Sequence, residues 1–343
     1  MIRQQLRRLR NRLDRLRRPG GRGLILLYHR VADEVSDPYG LCVTPAHFEQ
    51  HLQAIRDFGT PMRVGDMVEA AAAGTLVDRA VGVTFDDGYL DNFEIAAPLL
   101  ERYDIPATIF VTTGRGGRDR EFWWDELDRI FFRTDRLPET LEIEIGSTSH
   151  RWSLSDGATF DPNQQEQRTG HLNDRAAPTA RHATFREIYL LLQPLDDVAR
   201  GRVLDDLLLW AGDGPERVRQ SRRVMTPAQV TQLAERGLVQ IGAHTITHPA
   251  LPARTQEDRR AEVEESKATV EAWLGREVAS FAYPYGLYDS DSIATVRDAG
   301  FRFACAGDHR AVWSGDNPLL LPRVDVPPRS GDVVARLLHR YLS

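Results

Sequence analysis

Cysteine is scarce in this chain, and its scarcity excludes one common class of metal site. The two cysteines, Cys42 and Cys305, lie too far apart in the sequence to form the paired spacing of cysteine-based zinc sites. They neither require nor exclude an oxidising compartment. Lysine is scarcer still, since Lys267 is the one lysine among 44 basic side chains. This arginine bias is typical of a GC-rich bacterial genome and needs no functional cause.

Long apolar runs and an excess of positive charge are also missing. The apolar run at residues 24–28 is much too short to span a bilayer or to serve as the core of a signal peptide. We therefore expect a cytoplasmic protein. The net charge of -6 gives no global basic field, so we expect no nucleic acid among its partners. There is no glycine-rich phosphate loop of the kind that nucleotide-binding proteins use.

The first 22 residues form an arginine-rich arm whose composition differs from the rest of the chain. Its apolar residues are spaced four and three apart, as on one stripe of a helix. Such a stripe predicts a helix that lies on an anionic membrane, here the inner membrane face, or on a partner helix. A solvated basic arm is the alternative. Residues 23–343 have globular composition, and we interpret them as the catalytic domain.

Strands and helices alternate along most of this domain, which predicts an α/β fold with a parallel sheet. The runs at residues 24–29 and 107–111 are apolar on both faces, as is typical of parallel strands covered by helices. The alternation stops between about residues 114 and 224, which we interpret as a large insertion. It resumes at Thr226, where Thr-Pro-Ala-Gln is a capping-box pattern that predicts the start of a helix.

Polar residues stand at the ends of three predicted strands. They are His29, the pair Asp86 and Asp87, and the His-x-x-x-His segment from His244 to His248. In parallel α/β folds, catalysis takes place at the carboxyl ends of the strands, so we expect these residues to converge. His-x-x-x-His spacing is expected to place two imidazoles on one side of a helical turn. With one carboxylate, they would suit zinc or another divalent metal.

Simpler interpretations exist for each part of this pattern. A solvated Asp-Asp-Gly turn would account for the carboxylates, since Asp and Gly are common turn residues. A histidine pair at this spacing, taken alone, is more often unrelated to metal. The acidic strand end beside the pair favours the metal site. A phosphotransferase is not favoured, because neither an Asp-x-Asp pattern nor a phosphate loop is present.

Four short segments together resemble the polysaccharide deacetylase family, carbohydrate esterase family four. They are Thr-Phe-Asp-Asp-Gly at 84–88, His-Thr-Ile-Thr-His at 244–248, Phe-Ala-Tyr-Pro-Tyr-Gly at 281–286 and Leu-Tyr-His at 27–29. The last motif normally lies near the C-terminus of the family. Its N-terminal place here is similar to a circularly permuted branch that includes the poly-N-acetylglucosamine deacetylases. The resemblance covers roughly residues 24–113 and 225–326.

The resemblance implies a fold and a reaction. The fold would be a deformed (β/α) barrel of about seven parallel strands, similar to a TIM barrel, carrying the large insertion. The reaction would be metal-dependent removal of N-acetyl groups from an acetamido sugar of a polysaccharide, oligosaccharide or glycolipid. The cofactor would be one divalent metal, with Zn²⁺ as the leading candidate, and the partner an N-acetylated glycan.

The resemblance also assigns roles to the residues at the strand ends. Asp86 would be the general base and His29 the general acid. The metal ligands would be Asp87, His244 and His248.

The third motif matches the family incompletely. Pro284 would line the groove, and Tyr285 would supply a backbone N–H to the oxyanion. The arginine that precedes Pro-Tyr-Gly in many members, and steers the base, is absent here. Arg323 and Asp325, from the last predicted strand, are the candidates to support the catalytic groups instead.

Some interpretations stay open at this point. Trp124 and Trp313 could stack on sugar faces, although packing in the core explains each equally well. The same scaffold could hydrolyse another amide or ester, such as an O-acetyl group or a cyclic amide. A glycan-binding module without turnover is a third interpretation, and the missing arginine is its only support.

Overall fold

A computed structural model of the chain describes residues 21–34, 36–114, 120–159, 177–212 and 218–342. The predicted helix of the N-terminal arm lies outside these residues, and so does most of the polar stretch around residue 165. Among the helices that the structure describes, none is both long enough and apolar enough to cross a membrane.

The strands of the described residues are numbered in chain order. They are β1 (Gly23–Tyr28), β2 (Arg30–Val31), β3 (Cys42–Val43), β4 (Thr60–Pro61), β5 (Ala80–Phe85), β6 (Ala107–Val111), β7 (Thr140–Ile145), β8 (Thr148–Ser153), β9 (Val239–Ala243), β10 (Ser280–Ala282), β11 (Phe303–Cys305) and β12 (Val324–Asp325).

The α-helices are α1 (Pro45–Phe58), α2 (Val64–Ala73), α3 (Ala97–Tyr103), α4 (Trp123–Phe132), α5 (Ala180–Leu192), α6 (Asp197–Ala211), α7 (Pro227–Glu235), α8 (Gln256–Leu274), α9 (Ser290–Asp298) and α10 (Asp332–Leu342). A π-helical turn, Asn92–Ala96, leads into α3. Short 3₁₀ turns occupy Ser155–Ala158, Gln220–Arg222, Leu251–Ala253, Pro284–Gly286 and Pro318–Leu320.

Seven parallel strands form one curled sheet in the order β11-β10-β9-β6-β5-β1-β12, with β4 added beside β5. The two edges of this sheet approach each other. Just before β12, Leu321 exchanges backbone hydrogen bonds of 2.8 Å with Ala304 and Ala306 at β11, while Val324 of β12 pairs with Leu26 of β1. The predicted barrel-like α/β fold of about seven parallel strands is confirmed.

Local capping signals mark the starts of two helices, and the one at Thr226 was predicted. The hydroxyl of Thr44 accepts the N–H of His47 at 3.2 Å, and Pro45 opens α1. At α7, Thr226 and Gln229 form the reciprocal hydrogen bonds of a capping box. Each cap satisfies backbone N–H groups that have no partner within the helix, which is why such local signals mark helix starts.

The segment between β6 and β9 contains the predicted insertion, although the two strands are neighbours in the sheet. Its described part includes helices α4, α5 and α6 and the antiparallel hairpin β7–β8. These elements have an apolar cluster of their own. The hairpin was not predicted, yet its signal is present: Leu141, Ile143 and Ile145 are buried in alternation, and Gly146 turns at φ 66°.

Buried and partly buried ion pairs link α4 to the last residues of the insertion, just before α7. Arg222 lies 3.0 Å from the carboxylate of Asp125, and Arg219 lies 2.7 Å from Glu121 and 3.0 Å from Asp128. The three carboxylates belong to α4 or the residues preceding it. Because breaking a buried pair leaves a charge without compensation, these contacts keep α4 in one place beside the sheet.

Candidate active site

The strand ends converge as the parallel sheet requires. In the register of the sheet, Tyr28 of β1 lies beside Phe85 of β5, and Val111 of β6 lies beside Ala243 of β9. The residues that follow β1, β5 and β9 are therefore at one edge. The structure thus brings His29, the two aspartates and the two histidines to the same end of the sheet.

Asp87, His244 and His248 form a buried cluster whose potential ligand atoms lie within 4.8 Å of one another. Oδ1 of Asp87 is 3.6 Å from Nε2 of His244 and 3.5 Å from Nε2 of His248. Oδ1 of Asp87 and Nε2 of His244 have no hydrogen-bond partner among the described residues. Buried polar atoms are normally paired, so these atoms fit a bound divalent cation.

The protonation states of the two histidines suit metal binding as well. Nδ1 of His244 donates to the carbonyl oxygen of Ala282 at 2.8 Å, which leaves the lone pair of Nε2 facing the cluster. Burial lowers the pKa of His244 to about 4, and it lowers the pKa of His248 well below its ordinary value. Both imidazoles are therefore neutral at neutral pH, the form that binds metal.

The segment between the two histidines is not the helical turn that their spacing suggested. Thr245 and His248 have left-handed backbone angles, with φ of 65° and 58°. The segment instead continues along the end of β6, where the N–H groups of Thr113 and Gly114 donate to Thr245 and Ile246 at 3.1 and 2.9 Å. Pairing with a neighbouring strand end overrides the helical period here.

Asp86 is held by an arginine from a distant part of the sequence. Both terminal nitrogens of Arg323 donate to its carboxylate, at 2.6 and 2.7 Å, and both side chains are almost fully buried. Burial alone would raise the pKa of Asp86, but the charge of Arg323, assisted by His244, brings this pKa below its ordinary value. Arg323 thus contacts the carboxylate to which the resemblance assigns the role of base.

We expect Arg323→Ala to lower the free energy of unfolding of the metal-free protein by about 3–5 kcal/mol, the usual cost of leaving a buried charge unpaired. Because the folded-state pKa of Asp86 is depressed, the pair stabilises the protein at neutral pH and loses this contribution as pH falls through that pKa. The difference between variant and wild type should therefore shrink in acid. Urea unfolding at several pH values, with chelator present, measures it.

The exposed pair of Arg297 and Asp298 supplies the control. Arg297→Ala removes an arginine from an ion pair of 3.0 Å whose side chains are more than half exposed. Exposed pairs contribute only about 0–1 kcal/mol. An equal effect of both substitutions at neutral pH would contradict the importance assigned to the buried pair.

His29 directly follows β1, and its carbonyl oxygen accepts a hydrogen bond of 2.9 Å from the side chain of Asn92. Burial lowers the pKa of His29, while the charges of Asp86 and Asp325 oppose the change. Asp325 is more than half exposed and lies 3.1 Å from Nε2 of His309. The structure therefore places Asp325 at the rim of the site, and His29 is near enough to both Asp86 and Asp325 for their charges to act on its pKa.

Tyr285 packs against the cluster of Asp87, His244 and His248 through His248. Its ring centre is 4.5 Å from that of His248, and its hydroxyl donates to the carbonyl of His248 at 3.3 Å. The same hydroxyl accepts from Nε1 of Trp123, in the insertion, at 3.2 Å. Tyr285 follows the buried Pro284 and has a left-handed backbone, with φ of 58°. This uncommon conformation is of the kind that collects at functional sites.

The two tryptophans proposed for sugar stacking have different places. Trp124 is buried and donates to the hydroxyl of Tyr89 at 2.8 Å. The centre of its ring lies 4.8 Å from that of His248, so Trp124 packs against one of the candidate metal ligands. Trp313 lies elsewhere, and of the two interpretations left open for it, packing fits its place better than sugar stacking. Its neighbour Val312 pairs with the first residue of β1, at the opposite end of the sheet, and the guanidinium of Arg22 covers its ring.

Sequence reasoning missed a buried network behind the cluster. The hydroxyl of Tyr89 donates to Asp125 at 2.7 Å, and Arg222 donates to the other oxygen of the same carboxylate at 3.0 Å. Burial raises the pKa of Asp125 to about 6, although Arg222 opposes this. Tyr89 follows the aspartate motif directly, which is the one local signal. Asp125 lies in the insertion, where no motif marks it.

Comparison with protein-family models identifies a match to the polysaccharide deacetylase model over residues 73–169 and 213–304. A putative polysaccharide deacetylase of Bacillus subtilis is 35% identical over 91 residues, 25% of this chain and 30% of that protein. The poly-beta-1,6-N-acetyl-D-glucosamine N-deacetylase of Escherichia coli K12 is 26% identical over 135 residues, 37% of this chain and 20% of the enzyme. The matched regions thus span less than a third of either relative.

Solved structures share the fold across nearly the whole chain. The Streptococcus pyogenes deacetylase PplD, in complex with acetate, superposes with a TM-score of 0.58 at 17% identity, covering 93% of this chain and 99% of that one. IcaB from Ammonifex degensii gives a TM-score of 0.57 at 20% identity, covering 93% and 97%. The family model matches more than half of the sequence, and the chain therefore belongs to the polysaccharide deacetylase family.

Proposed function

We propose that this protein is a metal-dependent hydrolase that removes N-acetyl groups from an acetamido sugar of a polysaccharide, oligosaccharide or glycolipid. The observation that carries the proposal is the pairing of Asp86 with Arg323 beside the buried cluster of Asp87, His244 and His248. An ionised, oriented carboxylate next to a set of candidate metal ligands is what hydrolysis of an unactivated amide needs. The N-deacetylase named among the relatives supports the substrate class.

Asp87, His244 and His248 would hold one divalent metal, with zinc as the best match to two imidazoles and a carboxylate. When bound, the metal would polarise the acetyl carbonyl and lower the pKa of water. Asp86 then accepts a proton from the attacking water, whose oxygen forms a bond to the acetyl carbon. The low pKa of Asp86 keeps it ionised before this step, and Arg323 holds its orientation.

The remaining residues act on the charge and the leaving group. The backbone N–H of Tyr285 would stabilise the negative charge that develops on the acetyl oxygen. The C–N bond then breaks with its electron pair going to nitrogen, and His29 donates a proton to that nitrogen. The products are acetate and a free amino sugar.

His29→Ala is expected to lower kcat for an N-acetyl substrate by about 10²–10⁴-fold, the usual contribution of a general acid. An amide nitrogen leaves poorly unless it is protonated, whereas an alkoxide leaves more readily. The same variant should therefore retain more activity on an O-acetyl ester. Acetate release from a matched amide and ester, together with metal content, measures the effect.

Metal content in His29→Ala should equal that of wild type, since His29 is not among the cluster ligands. Amide hydrolysis within about threefold of wild type, far below the acid–base range, would show that His29 is only a histidine at a strand end.

The decisive experiment is metal analysis of the purified protein together with acetate release from a panel of N-acetylated and O-acetylated glycans. Release from N-acetylated glycans alone supports the proposal. Release from O-acetylated substrates alone would assign the scaffold to ester hydrolysis. The interpretation as a binding module without turnover had one support, the absence of the motif arginine. Arg323, which pairs with Asp86, could serve in place of that arginine and so removes this support.

Two features of the wider protein are also proposals. Contact of residues 1–22 with an anionic membrane rests on their arginines and apolar stripe. A cytoplasmic location at the inner membrane face rests on the same segment and on the short apolar run that follows it.

A further inference from the structure

The turn that carries both histidine ligands is gripped by a carboxylate from another element. The backbone N–H groups of Ile246 and Thr247 donate to Oε2 of Glu262, in helix α8, at 2.7 and 2.9 Å. The hydroxyl of Thr247 donates to Oε1 of the same carboxylate at 2.5 Å. We propose that Glu262 is a positioning residue that holds His244 and His248 in place for the metal, an inference that rests on the proposed function.

The conformation of the turn explains why it needs such a contact. Thr245 and His248 both have left-handed φ values, a strained conformation outside glycine that persists only where the surroundings impose it. Ile246 and Thr247 lie between them. On one side the carbonyl of Ile246 accepts the N–H of Gly114 at 2.9 Å. Glu262 accepts the hydrogen bonds of the N–H groups of Ile246 and Thr247.

The chemistry of the contact makes it strong. Hydrogen bonds to an ionised carboxylate are about twice as strong as those between neutral groups, and three donors share this one. Neither Ile246 nor Thr247 is in the ligand cluster, so Glu262 acts on the metal through the histidines at the two ends of the turn.

Loss of the carboxylate would release two successive N–H groups to water and allow the turn to relax. The two histidines would then have to be ordered when the metal binds, and this would lower the affinity for the metal. Removal of such supporting partners typically weakens metal binding by about 10–100-fold. Helix α8 itself should persist, because Glu262 is only partly buried and the helix core is formed by other residues.

The test compares Glu262→Ala and Glu262→Gln with Glu265→Gln, which removes the same charge from an exposed position on the same helix. The dissociation constant for Zn²⁺ is measured on each full-length protein by competition with a chromophoric chelator. We expect binding about 10–100-fold weaker for Glu262→Ala, a smaller loss for Glu262→Gln, and no change for Glu265→Gln. Activity of both Glu262 variants should recover as Zn²⁺ is raised.

The unfolding midpoint of each metal-free variant separates positioning from a purely structural role. A lower midpoint with a dissociation constant within about twofold of wild type, far below the expected range, would overturn the inference. If Glu262→Ala does not fold, the same criterion applies to Glu262→Gln. Wild-type protein that binds no Zn²⁺ would refute the metal site of the proposed function, which is a different result from failure of the inference alone.

Discussion

Asp86→Asn is expected to lower kcat for deacetylation by about 10²–10⁴-fold while the protein still binds its metal. The amide has nearly the shape of the carboxylate but cannot accept the proton of the attacking water. Asp86 is not in the ligand cluster, which consists of Asp87 and two histidines, so metal content should stay at the wild-type level. Steady-state acetate release and metal analysis of the same preparation check both parts. Activity within tenfold of wild type would rule out Asp86 as the base.

The structure adds a consequence for stability. Asn in place of Asp86 leaves the buried guanidinium of Arg323 without its charged partner, so the variant should also unfold more easily. The double variant Asp86→Asn with Arg323→Gln removes both charges and should recover part of that stability, because neither charge is then buried alone. Its activity should stay as low as that of Asp86→Asn. Recovery of activity together with stability would mean that the first loss was structural.

His244→Ala is expected to lower metal content and activity together, and to do so more completely than any other single change discussed. Nε2 of His244 lies 3.6 Å from Asp87 and has no hydrogen-bond partner among the described residues. Removing one of three protein ligands leaves too few to hold a divalent ion tightly. Metal per chain, measured after dialysis against a weak chelator, should fall toward zero, and acetate release should fall in proportion.

His339→Ala is the matched control, since His339 is exposed on the C-terminal helix α10, whose last residues bind Arg22 just before the start of β1, the end of the strand opposite to the cluster. It should keep the metal and the activity of wild type. Full metal occupancy in His244→Ala would count against the assigned ligand set, and it would also remove the basis for a positioning role of Glu262.

Much of the fold follows from signals that are local in the sequence. Strands buried on both faces, such as β1 and β5, read as continuous apolar runs, and helix caps such as Thr226 are defined by hydrogen bonds a few residues apart. The hairpin β7–β8 had a local signal too, in its alternating buried residues, but it lies within the segment that was interpreted only as an insertion.

The sequence by itself determined where the candidate site lies, because parallel strands present their carboxyl ends at one edge and His29, Asp86 and His244 each follow a strand. Only the tertiary structure decided which groups support that set. Arg323 reaches Asp86 because β12 and β5 both lie beside β1, although the two residues are distant in the chain. Packing between elements also decides the contact of Glu262 with the left-handed turn and the remote place of Trp313. Contacts of this kind produce no periodic pattern in the sequence, so the sequence could not predict them.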